Sequence, residues 1–246
     1  MISFLLQAAL AVVGSSPTAM RDCPDCPQMV RVTLTNGGAP KQILVAKYEL
    51  TWAEYLSAVQ TVGCTAPRNR SGSPIDWHDR ALWDDYPMTS IQPNQIGCYI
   101  NWINARTGKA YRLPTEAEWM AIATASGGAP GRGDYLYNQL HDLPVRHDPR
   151  SPVAAKIIRP ASLSSSNALG INDLFGNAAE AVSDRPVPPQ PIQSRTAKPI
   201  ELVAVKGGYI GTSRGTDLVK SRMLFLANTL SDMIGFRLVR AVDDGH

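Results

Sequence analysis

The run Tyr111-Arg112-Leu113-Pro114-Thr115-Glu116-Ala117-Glu118-Trp119 decides how the rest of this chain is read. Pro114 fixes the approach to Thr115 through its locked φ. Thr115 and Glu118 stand at capping-box spacing. The hydroxyl takes an orphan amide of a new helix, and the carboxylate returns to the amide of the cap. Glu116 and Glu118 put negative charge in the first turn, where the helix dipole favours it. Trp119 is a bulky core anchor. The two carboxylates and the arginine resemble a catalytic set, but architecture accounts for each of them, with Arg112 expected to pair with a carboxylate beneath the loops. A helix is expected from Thr115 to about residue 125, stopped by Gly127-Gly128.

Upstream, Thr51 and Glu54 repeat the capping-box spacing, so a second helix should run over Trp52–Val62 with Tyr55, Leu56, Val59 and Val62 on one apolar face. Ile96, Tyr99, Ile100 and Ile103 mark a helix that begins at Asn94 and ends before Thr107-Gly108. Alternation over Met29–Leu34 reads as a strand, closed by the turn residues Asn36-Gly37-Gly38. Residues 42–48, 202–205 and 235–242 read as further strands. Residues 65–85 and the stretch from 129 to 167 are loop-like, and the proline cluster from Pro186 to Pro191 excludes a helix interior or central strand. Loops this long usually need a functional reason.

Four further segments accompany the opening run. They are Glu49-Leu50-Thr51-Trp52-Ala53-Glu54-Tyr55, Tyr86-Pro87-Met88-Thr89-Ser90, Gly170-Ile171-Asn172-Asp173-Leu174-Phe175-Gly176-Asn177, and Val205-Lys206-Gly207-Gly208 with the closing Ile234-Gly235-Phe236-Arg237. In this order they resemble the formylglycine-generating enzyme family, also called sulfatase-modifying factors, over residues 26–242. The resemblance implies an α+β domain that varies the C-type lectin fold, with small antiparallel sheets, a few helices and much ordered irregular backbone.

The 246 residues are enough for one large domain, and a hydrophobic content of 44% supports a sizeable core. A formal charge of +3 without a Lys/Arg run gives no reason to expect a nucleic-acid partner. Residues 4–13 (FLLQAALAVV) are too few to span a bilayer, which takes about 20 apolar residues. They have the length of a secretory-signal core, with small residues near Ser15 and Ala19, although no Lys or Arg precedes them. Residues 1–19 are therefore expected to be a signal peptide and residues 20–246 a single periplasmic or secreted domain, with no transmembrane segment after cleavage. The four cysteines, Cys23, Cys26, Cys64 and Cys98, fit export. Disulfides are the simplest account in an oxidising compartment. Cys64 with Cys98 is the preferred bridge among the three connectivities that four cysteines allow.

By resemblance, residues 170–180 match a calcium loop of the family. The ligands would be the side chain of Asp173, the backbone carbonyls of Gly176 and Ala178, and the carboxylate of Glu180. Calcium takes such hard oxygen sets. The chain departs from the family by placing Ala179 and Ala181 where aromatics usually stand. The alternative is a turn in which Asp173 and Glu180 bond backbone amides. The family's other calcium segment is not reproduced clearly by residues 131–135.

The formylglycine-generating enzymes bind copper(I) through two cysteines that follow the Gly-Gly turn, and soft thiolates suit that ion. Here those positions fall at Thr212 and Asp217, and no cysteine follows Cys98. Copper-dependent formylglycine formation is therefore not expected. His141 and His147, near Asp134, Asp142 and Asp148, read as a solvated loop more readily than as a metal site. Tyr209, Thr212, Arg214, Asp217 and Arg222, with Lys220, are candidates for a ligand groove beside Gly208. Their mixed charge suits an anionic or zwitterionic ligand. Trp77, Trp83 and Tyr86 are candidate stacking surfaces or packed loop anchors. The expected function is binding of a small-molecule, peptide or protein ligand outside the cytoplasm. The alternative is oxidative tailoring of a peptide or siderophore, as in the pyoverdine-maturation branch of the family.

Overall fold

The computed structural model describes residues 18–35, 39–69, 71–75, 84–130, 165–185, 201–209, 211–213 and 215–243. The expectations for the leader, Trp77, Trp83, the histidine loop, residues 131–135, the proline cluster and Arg214 lie outside these residues.

The helices form where their caps place them: α1 at Trp52–Val62, α2 at Pro93–Thr107 and α3 at Glu116–Ala125. Both predicted Thr/Glu boxes close reciprocally, with Thr115 Oγ1 accepting from the Glu118 amide at 3.1 Å and Glu118 Oε2 accepting from the Thr115 amide at 3.1 Å. Helix α2 is capped by Gln92 and Gln95, and it ends on Gly108 at φ 67°. That left-handed cap is inexpensive for glycine alone.

The strands are β1 at Met29–Leu34, β2 at Lys41–Ala46, β3 at Ala179–Ala181, β4 at Leu202–Lys206, β5 at Met223–Leu226, β6 at Ile234–Phe236 and β7 at Val239–Ala241. One sheet is antiparallel in the order β1-β2-β7, and the other runs β5-β4-β3-β6. In the second sheet β3 and β6 are parallel, so it is mixed where antiparallel pairing was expected. The strand expected over residues 235–242 is in fact two strands in different sheets. Arg237 and Leu238 carry the chain from one sheet to the other.

One core cluster joins α1 and α2 to the inner residues of β3, β4 and β6 through Tyr55, Tyr99, Ile103 and Phe236. A second, around Trp119, Ile122 and Phe175, packs α3 against β1 and β2. Trp119 is fully buried, as an anchor should be. Two disulfides, Cys23–Cys26 and Cys64–Cys98, use all four cysteines, and the second is the bridge preferred from sequence. It ties the loop after α1 to the first half of α2.

Candidate functional site

The Gly207–Gly208 turn follows β4 and abuts the loop at residues 170–178. Both glycines are left-handed, at φ 83° and 72°. A Cβ on Gly207 would lie 2.8 Å from the Leu174 carbonyl oxygen, and one on Gly208 would lie 2.9 Å from a Leu218 methyl. Close backbone approach requires glycine at position 207, while at 208 the neighbours are side chains and the left-handed φ favours glycine, and Gly176 donates its amide to the Gly207 carbonyl at 2.9 Å.

Just before the turn, Lys206 is buried to its tip. Its Nζ donates to the Val219 carbonyl at 2.8 Å, lies 3.5 Å from Glu116 and sits 5.6 Å from the centre of the Trp119 ring. Burial lowers its pKa, opposed by the nearby Glu116 carboxylate. Glu116 also holds Arg222 at 3.1 Å, and its own amide donates to Asp184. The first turn of α3 thus joins three segments. Arg112 pairs bidentately with Glu118 at 2.6 and 2.7 Å, which supplies the carboxylate expected from sequence. That pairing holds the Glu118 carboxyl down at about 2.

The groove candidates are placed as follows. Tyr209 is half-buried against the core, its amide donates to Thr212 Oγ1 at 3.1 Å, and its carbonyl accepts from the Thr212 amide at 2.8 Å. Asp217 is exposed and accepts from the Lys220 amide at 3.2 Å. Arg222 is held on Glu116 at 3.1 Å. The two family cysteine positions are thus occupied by groups that stabilise their own loops.

In the loop at residues 170–178, Asp173 and Asn177 are left-handed at φ 51° and 53°. The loop is held from beneath by two buried acids. Glu49 accepts from the Asn177 side-chain amide at 2.7 Å and from the Ala178 amide at 2.8 Å. Glu180, within β3, accepts from Arg237 at 2.6 and 2.8 Å and from the Trp119 indole at 2.8 Å. Arg237 also donates to the carbonyls of Ala46, Lys47 and Asn172 at 2.8–2.9 Å. All five guanidinium N–H groups therefore have acceptors, which is the full capacity of an arginine.

Glu49 and Arg237 belong to quoted motifs, but their union across the chain could not be read from spacing. The buried charges around this loop are three carboxylates (Glu49, Asp173 and Glu180) against Arg237. Burial, with repulsion from Asp173 and Glu180, raises the Glu49 pKa well above the ordinary carboxylate value. Among the described residues no three His, Cys, Asp or Glu side chains converge as a metal cluster. A cation here would therefore depend on carbonyls such as those of Gly176 and Ala178.

The family model for the sulfatase-modifying factor enzyme 1-like domain matches residues 39–242. The chain belongs to the sulfatase-modifying factor family. A search of curated proteins gave no match. Among solved structures, PvdO from Pseudomonas aeruginosa is similar with a TM-score of 0.66 and 22% identity, over 93% of this chain and 100% of that one. CarF is similar at 0.59 and 17%, over 87% of this chain and 96% of that one. Variable protein 1 of Treponema denticola is similar at 0.58 and 16%, over 92% and 100%. At these identities the likenesses show a shared fold. In this sulfatase-modifying-factor domain the Gly-Gly turn and the contacts of Arg237 lie within the matched residues. Its four cysteines all lie in the two disulfides.

Proposed function

We propose that this chain is an extracytoplasmic binding module on a sulfatase-modifying-factor scaffold, taking a small-molecule, peptide or protein ligand beside Gly207 and Gly208. The observation that carries the reading is the fate of the two cysteine positions. Thr212 is turned back onto the Tyr209 amide, and Asp217 caps the turn at Lys220. Tyr209, Asp217 and Arg222, with Arg214, would supply the mixed-charge surface. The two disulfides suit an oxidising compartment, and no helix among the described residues is long and apolar enough to cross a membrane.

Elemental analysis of the protein purified without chelator tests this reading. Absence of stoichiometric copper or iron is the expected result. A stoichiometric redox metal, with oxygen uptake on a peptide or siderophore, would replace it with the oxidative-tailoring alternative.

The loop at residues 170–180 is proposed to hold structural calcium through Asp173, Glu180 and the carbonyls of Gly176 and Ala178. The gathering of the buried oxygen-bearing side chains Glu49, Asp173 and Glu180 around one loop supports this, since calcium takes hard oxygen ligands. Calcium is expected to raise the melting temperature of the wild type. Asp173→Ala and Glu180→Ala should each abolish the calcium-dependent part of that rise. A wild type that melts identically in calcium and in chelator would end the calcium assignment.

A further inference from the structure

A cavity of about 490 Å³ lies between α2 and the second sheet. That is within the range of roughly 300–1,000 Å³ typical of small-molecule sites. Ile96 and Ile100 line it from the helix, Ala181 and Val203 from the sheet, and Leu113 from the segment before α3. The facing walls carry two of the smallest side chains. Gly97 lines the cavity from within α2, and a Cβ built on it meets no atom within 4 Å. A glycine inside a helix costs about 1 kcal/mol relative to alanine, and here no close packing requires it. Opposite, Ala181 stands at one of the two positions where the family usually has an aromatic. Both walls are therefore cut back on the same space.

The charges at the rim differ in their commitments. Arg112 is held by Glu118, and Asp184 accepts from the Glu116 amide. Arg185 and Glu201 are exposed, line the same cavity and have no ion-pair or hydrogen-bond partner for their side chains among the described residues. The mouth thus offers one uncommitted cation and one uncommitted anion above an apolar interior.

We propose that this cavity binds a zwitterionic molecule with a large apolar side chain, of the class of a free aromatic α-amino acid. Its carboxylate would meet Arg185, its ammonium Glu201, and its ring the space between Gly97 and Ala181. This site is separate from the groove at Gly207–Gly208, since none of Tyr209, Thr212, Asp217 or Arg222 lines it.

Titration calorimetry with L-tryptophan as the probe tests the assignment. The wild type is expected to bind. Arg185→Ala and Glu201→Ala, both on exposed residues that leave the core intact, should each weaken binding about fivefold. Gly97→Phe should abolish binding without lowering the melting temperature, and Gly97→Ala should bind while melting higher than the wild type. No detectable binding of L-tryptophan to the wild type overturns the proposal, as does undiminished binding by a folded Gly97→Phe protein. Equal affinity for N-acetyl-L-tryptophan amide, in which both charges are masked, overturns the zwitterion class.

Discussion

At the scale of single residues, Arg237 shows how much this fold concentrates in one side chain. It neutralises Glu180 in a fully buried setting and satisfies three backbone carbonyls from two separate segments. Removing one member of a buried pair leaves an uncompensated charge, which costs about 3–5 kcal/mol. Arg237→Met should therefore lower the unfolding free energy by about that amount in urea denaturation. Arg237→Lys should rescue only part of it, since an ammonium has three donors for the bonds that five now make. Glu54 gives a prediction in pH. Burial pushes its carboxyl from 4.5 up to about 7. Folding therefore favours the protonated form. The stabilisation is complete below the unfolded value and is lost as pH rises through the folded one. The part of the melting-temperature difference between pH 4.5 and pH 7 that comes from Glu54 should favour the lower pH, and Glu54→Gln should remove that part while keeping an acceptor for the Thr51 amide. A difference unchanged in Glu54→Gln would assign it to other groups.

At the scale of elements, the helices were legible and the short strands were not. Thr51, Thr115 and their partner glutamates announce helix starts through chemistry contained within a few residues, and both boundaries fall where that chemistry puts them. Strands β3 and β5 have no such local signature. Ala179–Ala181 is buried on both sides and takes its identity from Lys206 and Gly235, which lie far along the chain. The Phe236–Val239 step likewise carries no turn residue, since Arg237-Leu238-Val239 has no Gly, Pro, Asn or Asp to mark where the chain changes sheets. The candidate site divides the same way. The Gly-Gly turn and the loop at residues 170–178 were marked by motifs, whereas the Glu49–Asn177 and Glu180–Arg237 contacts and the space at Gly97 needed coordinates. The cysteine spacings give an element-scale expectation. A cross-link stabilises mainly by restricting the unfolded chain, more so for longer loops. With sequence separations of 34 and 3, loss of Cys64–Cys98 should cost about 4 kcal/mol and loss of Cys23–Cys26 about 2 kcal/mol. Paired Cys→Ser variants, compared by denaturant midpoint, check that ordering.

At the scale of the whole molecule, the two sheets are joined through the last described strands. Strand β2 lies between β1 and β7, and β3 lies between β4 and β6, so each sheet has an interior strand bonded to the closing segment. Leu50 donates to the Phe236 carbonyl at 2.8 Å and Ala46 to the Leu238 carbonyl at 2.8 Å, which binds the early part of the chain to the late part directly. A version ending at Ser231 would lack β6, Arg237 and β7, and it should be digested by protease under conditions in which the full chain resists. Resistance of such a version would show that the sheets are held by their earlier strands alone.

The step from β6 through Arg237 to β7 has a consequence in time as well as in space. A chain emerging from the ribosome presents β1, β2, α1, α2 and α3 long before the segment that supplies Arg237 and the partner of β2. Until then Glu180 has no guanidinium and the first sheet has no third strand. Neither sheet can gain its full set of strands before that segment is made.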